Sequence, residues 1–160
     1  MKQAVFGRSR RVVKHPEPAW AERADCEIVA DISDRGMVPS LEALACAVLE
    51  DDRYTVACIP FFATDIALGD TITVDDEGRA RRVETSGHTV FRVWFGDSAE
   101  PLTRLEVDAK MSDFGAQVEK FSEDLIAIDA ETELVSERVF GYLEAEDAAG
   151  RLAFETGHTS

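Results

Sequence analysis

Between residues 26 and 32, Cys26, Ile28, Ala30 and Ile32 alternate with Glu27, Val29 and Asp31, the period-two pattern of a strand with one buried face. The run Ser33-Asp34-Arg35-Gly36 then predicts a turn. Residues 41–49 are rich in alanine and leucine, which suits a helix. The charged turn Glu50-Asp51-Asp52 and the alternation of Tyr54, Val56 and Cys58 beyond it favour a hairpin instead, and 41–49 is read as its first strand. A second hairpin spans 70–84, where Ile72 and Val74 alternate with threonines and Asp76-Glu77-Gly78 turns the chain towards Val83. Five short, locally connected strands predict a small β-barrel-like or curled sheet.

From Val90 onwards the pattern changes. Residues 90–95 (Val-Phe-Arg-Val-Trp-Phe) form a strand that is apolar on nearly both faces. Asp97 or Ser98 is placed to cap a helix with Pro101 in its first turn, where the missing N–H does no harm. Leu102, Leu105 and Ala109 are its expected buried stripe, and Gly115 its stop. Strands over 116–121 and 125–128 come next. Then comes a helix capped by Thr132, with Val135, Val139, Tyr142 and Leu143 on one face, and a last strand around 152–154.

The order β-α-β-β-α-β is that of a ferredoxin-like unit. In such a unit the first and third strands are central, and these are the two most apolar strands here. The charges on 116–121 and 151–156 suit edges. The fold class expected is therefore α+β: a small N-terminal β-barrel-like sheet over 25–86, then a ferredoxin-like unit over 87–157, packed as one body. Residues 1–24, broken by Pro16 and Pro18, read as a basic, poorly ordered arm.

Charge sharpens this picture. The chain of 160 residues carries 32 acidic and 17 basic side chains, a formal net charge of −15. Residues 1–24 hold six bases and two acids, so taking that +4 from −15 leaves −19 on residues 25–160. Such a body repels phosphate backbones and anionic headgroups, which disfavours nucleic acid and membranes and favours a basic protein partner. Cys26, Cys46 and Cys58 match no zinc or redox spacing, and the opening residues contain no apolar signal core. A reducing, cytoplasmic location is expected.

Several runs carry a more specific likeness. Glu42-Ala43-Leu44-Ala45, Arg53-Tyr54-Thr55-Val56, Ile59-Pro60-Phe61-Phe62-Ala63, Leu68-Gly69-Asp70 and Ser86-Gly87-His88-Thr89-Val90-Phe91-Arg92-Val93 resemble the bacterial domain-of-unknown-function 4265 family. Its pattern is a Pro-Phe, then an apolar residue before Gly-Asp, and later Ser-Gly-His with an arginine shortly after. Ile128-Asp129 and the C-terminal helix extend the likeness across most of 25–157. The sequence departs at Leu44-Ala45-Cys46, where the family often has a tryptophan. The resemblance implies a small fold and no known activity.

Candidate chemistry is sparse. Phe61 and Phe62 can wall a ligand loop or plug a core corner, and the core role is preferred. Ser86 and His88 do not form a nucleophile elbow, and His15, His88 and His158 are too scattered for a triad or metal site. No catalytic residue, metal or cofactor is assigned. Parity sends Phe91, Val93 and Phe95 towards the helices, and His88, Arg92 and Trp94 to the other face. There Arg92 can meet an acid such as Asp70 across the two halves, or the face can hold a small ligand. Asp51, Asp52, Asp75, Asp76 and Glu77 form an acidic surface. The function expected is a non-enzymatic, acidic protein-binding module, most concretely a cytoplasmic immunity protein against a cationic bacterial toxin. The alternative is a small-molecule sensor using Phe61, Phe62, His88, Arg92 and Trp94.

Overall fold

The structure, a computed structural model, describes residues 12–33, 40–96 and 101–157. Its strands are β1 (Val12–Val13), β2 (Cys26–Asp31), β3 (Leu41–Glu50), β4 (Arg53–Val56), β5 (Thr71–Val74), β6 (Ala80–Glu84) and β7 (Thr89–Trp94), followed by β8 (Gln117–Lys120), β9 (Leu125–Ala130) and β10 (Ala153–Thr156). Helix α1 (Pro101–Phe114) joins β7 to β8, and α2 (Glu133–Ala148) joins β9 to β10. The result is a mixed α+β protein with two sheets. The predicted turn at Asp34–Gly36, the caps at Asp97 or Ser98, and His158 lie outside the described residues.

In the first sheet the order is β1-β3-β4-β5-β6, with β2 also paired to β3. The ten-residue β3 is its spine, a strand rather than a helix. It runs parallel to β1 at Val12–Leu41 and antiparallel to β2 and β4. The tip of the β3–β4 hairpin is two residues long, because Glu50 pairs with Arg53. Asp51 and Asp52 therefore take positive φ, +24° and +62°, as tight hairpins require. The sheet curls until Val29 bridges Arg79 at one isolated point. It is not a closed barrel: the charged β6 (Ala-Arg-Arg-Val-Glu) stays an edge instead of forming a ladder with β2.

The second sheet has the order β10-β7-β9-β8 with every neighbouring pair antiparallel, so the apolar β7 and β9 are central. Its pleat divides the molecule into two cores. Phe91, Val93, Phe95, Ile126 and Ile128 meet Val107 and Met111 of α1 and Val139 and Leu143 of α2. Val90, Leu125 and Ala127 face the other way, into the core of the first sheet with Leu44, Phe61, Leu68 and Ile72.

Helix α2 starts as expected, with Thr132 Oγ1 accepting from the amide of Val135 at 3.2 Å, and it buries Val139 and Leu143. Helix α1 differs from its expected stripe. Val107 and Met111, four residues apart, are buried, while Leu105 is 64% exposed. The side chain of Leu102 is outside those described. Ala109, the third expected member, is exposed as well, and the i, i+4 pair Val107/Met111 marks the face that meets the sheet.

The N-terminal segment is the larger surprise. Residues 12–24 are not a loose arm but a strap laid between the sheets. Val13 and His15 are buried. The Trp20 amide donates to the Ala57 carbonyl at 3.0 Å. Pro16 and Pro18 allow the strap to run without sheet pairing, since neither brings an amide that needs a partner.

Candidate functional site

Pro60, Phe61, Phe62 and two buried acids meet at one segment. Residues 59–63 (Ile-Pro-Phe-Phe-Ala) belong to no helix or strand, yet all five are buried between the sheets. Buried backbone without a ladder needs other partners. Glu42, from β3, accepts the amides of Phe61 at 2.7 Å, Phe62 at 3.0 Å and Ala63 at 2.9 Å. Glu119, from β8, accepts the amide of Ile59 at 2.6 Å and that of Ala19 at 2.8 Å. Arg92, from β7 and fully buried, donates through Nε to the Phe61 carbonyl at 2.7 Å. Its Nη2 reaches the carbonyls of Pro60 and Ala63, each at 3.2 Å. The amides thus see carboxylates and the carbonyls see a guanidinium.

His15 closes the cluster. Its Nε2 lies 2.6 Å from Glu42 and its Nδ1 2.7 Å from Glu119, and its ring is stacked on Phe61 with centroids 4.3 Å apart. Burial alone would lower its pKa. Hydrogen bonds with Cys58, Glu119 and Glu42 outweigh that, and the pKa is pushed up to about 12. Burial would likewise raise Glu42, but His15 and the Phe61 and Phe62 amides hold it below the usual carboxylate range. Both ring nitrogens are donors to carboxylates, so His15 has no lone pair with which to act as a base. Cys58 is fully buried, and burial pushes its thiol up, away from thiolate chemistry.

A second polar cluster lies beside the first. His88 Nδ1 sits 2.9 Å from Asp129. Burial would lower the His88 pKa; the hydrogen bond and charge of Asp129 raise it instead. Asp70 accepts the amides of Ala67 at 2.9 Å and Ser86 at 2.7 Å, so it braces two turns and is not the partner of Arg92. Ser86 Oγ donates to the Leu68 carbonyl at 2.8 Å and accepts the His88 amide at 3.1 Å. It is committed to backbone rather than aimed at an imidazole. Gly69 has φ +87°, and a Cβ there would meet Ser86 at 3.0 Å and Trp20 at 3.4 Å, so glycine is needed twice over.

The sheet face proposed as a ligand surface is therefore covered. Phe61, Phe62 and Arg92 are buried, His88 and Trp94 are half-buried, and the polar groups of Arg92 and His88 are engaged by protein. The acidic residues lie elsewhere. Asp51 and Asp52 are exposed at the β3–β4 tip, and Asp76 and Glu77 at the β5–β6 tip. Asp75 differs, because its carboxylate accepts the amides of Glu77 and Arg79, both at 2.9 Å, and shapes the turn. Sequence reading missed His15, Glu42 and Glu119. Glu42 was the one with a signal, a lone charge inside the otherwise apolar Leu41–Leu49 run. Among the described residues no His, Cys, Asp and Glu side chains gather as a metal site, and no helix is long and apolar enough to cross a membrane. A cavity of about 380 Å³ opens beside Glu119, bounded by Glu17 of the strap, Asp108 and Ser112 of α1, and Phe61.

Two sheets sharing an irregular, polar-braced segment define an α+β fold with an internal brace. A crystal structure from Neisseria gonorrhoeae, described as that of a hypothetical protein, has this fold: TM-score 0.66 and 16% identity, covering 86% of this chain and 96% of that one. No curated protein matches. Residues 42–154 match the family described as "Domain of unknown function (DUF4265)", and the chain belongs to that family.

Proposed function

We propose that this protein is a non-enzymatic, acidic protein-binding module, most concretely a cytoplasmic immunity protein that covers a cationic bacterial toxin. The observation that carries this reading is a division of labour among the acids. Glu42, Asp70, Glu119 and Asp129 are consumed inside the fold. Asp51, Asp52, Asp76 and Glu77 stand free at two hairpin tips, beside the exposed Val48, Leu49 and Val74. Apolar side chains amid acids suit a basic surface that carries apolar anchors.

The finer architecture belongs to the same reading. The β10-β7-β9-β8 order with α1 and α2 on one face supports a ferredoxin-like unit, and the curl that brings β6 back to Val29 supports a barrel-like first half. Two strand tips from that half then form the docking edge.

The test is co-expression with the C-terminal domain of a neighbouring secreted protein, if the gene has such a neighbour. Survival and a 1:1 complex are expected. Association should reach towards about 10⁸ M⁻¹s⁻¹ at low salt and slow as salt is added. Reversing Asp76 and Glu77, exposed and free of positive φ, to lysine should slow association and leave melting unchanged. Equal killing with and without this chain, and no complex, would remove the reading.

A further inference from the structure

The antiparallel register of β2 and β3 places Cys26 directly opposite Cys46. Directly paired residues share one face of a sheet, with Cα atoms about 4.5–5.5 Å apart. That separation lies within the range of about 4.4–6.8 Å that a disulfide spans. Cys26 Sγ already points across the pair, 3.6 Å from the Cys46 carbonyl oxygen. All three cysteines are free thiols. They differ in access: Cys26 is half-buried, while Cys46 and Cys58 have no exposed surface.

We infer that Cys26 and Cys46 are a peroxide-responsive dithiol, with Cys26 the thiol that meets the oxidant and Cys46 the one that resolves it. Hydrogen peroxide transfers one oxygen to Cys26, which becomes a sulfenic acid with release of water. The Cys46 sulfur then attacks the Cys26 sulfur; the S–O bond breaks, the S–S bond forms, and a second water leaves with the thiol proton. Two thiols and one peroxide give one disulfide and two waters. Burial pushes both thiols above their ordinary pKa, so the pair responds to sustained oxidant rather than to a brief pulse.

The bridge has a defined structural effect. It ties β2 to the spine of the first sheet, closing a loop of 20 residues in sequence separation. It lies one residue beyond Asp25, whose amide bonds to the Cys46 carbonyl at 2.9 Å where the strap enters the sheet. Oxidation therefore fixes the end of the strap as well as the strand.

The experiment exposes the reduced, native full chain to hydrogen peroxide, blocks remaining thiols and measures intact mass and bridged peptides. The expected product is monomeric, lighter by two hydrogens, linked 26–46, and reversed by dithiothreitol. Its Tm should rise by roughly 5–10 °C. Cys26→Ser, at a half-buried position that tolerates serine, should abolish the bridge, and Cys58→Ser should leave it intact. A bridge that includes Cys58, only intermolecular dimers, terminal oxidation of Cys26 without a bridge, or no reaction in folded protein would each overturn the inference.

Discussion

On its helix side the second sheet presents Phe91, Val93, Ile126 and Ile128 to Val107, Met111, Val139 and Leu143. On its other side Val90, Leu125 and Ala127 share the interface with Arg92, Asp129 and Glu119. Among the described residues, the buried charged or polar ones (His15, Glu42, Asp70, Arg92, Glu119, Asp129) all come from outside α1 and α2. The two faces differ because of what they pack against. Helices satisfy their own backbone and offer the sheet only side chains. The 59–63 segment and the strap bring bare amides and carbonyls into the interior, where each needs a hydrogen-bond partner, and Glu42, Glu119 and Arg92 supply most of them. The buried charges of Glu42, Glu119 and Arg92 answer irregular backbone.

The comparison breaks most sharply at Arg92. Arg92→Ala should cost about 3–5 kcal/mol, because the carbonyls of Pro60, Phe61 and Ala63 lose their donors inside the core. Urea unfolding should show a lower midpoint at an unchanged slope. A loss under about 1 kcal/mol would mean the segment finds water instead.

Shape-conserving swaps on the two faces sharpen it next. Glu42→Gln keeps the volume but removes the charge shared by three amides and His15, and should cost about 2–3 kcal/mol. Met111→Leu on the helix face should cost less than about 1.5 kcal/mol. Equal losses would contradict the distinction between the faces.

Acid and base act on this interface through Glu42 and His15. The Glu42 pKa is depressed, so its contribution is present above its ordinary value of 4.5 and lost as pH falls through the folded value. The His15 pKa is raised to about 12, so its contribution is complete below 6.5 and declines as pH climbs towards 12. Each proton involved changes stability by at most about 1.4 kcal/mol per pH unit. Urea midpoints should therefore fall below pH 4.5 and drift down above 6.5, and Glu42→Gln should flatten the acid limb. An unchanged acid limb in that variant would assign the effect to other carboxylates.

The smallest effect lies far from both interfaces. Asp52→Gly at φ +62° should raise stability by a few tenths to about 1 kcal/mol, since glycine occupies that region without a Cβ penalty. Thermal melting at neutral pH checks it.

How much of this was legible follows the same division. Alternation in 90–95 and the apolar 125–128 run revealed the central strands and the side to which Arg92 points. Thr132 announced its helix. The partners of Arg92 left no trace, because carbonyl groups are the same in every residue and only their three-dimensional placement makes them acceptors. Glu119 sits in a strand whose charges suggest an ordinary edge, and His15 lies among bases and prolines that read as a loose arm. Their meeting across 104 positions of chain has no local signature.

That separation also bears on how the protein is made. The strap and the first sheet leave the ribosome well before Glu119, with Ile59 and Ala19 lacking their acceptor and His15 lacking one of its two carboxylates. Ile59 and Glu119 are 60 residues apart, so at about 5–20 residues per second the interval is about 3–12 s. Through that time the nascent first half holds a corner it cannot close, so the chain reaches its final form only after synthesis has passed β8.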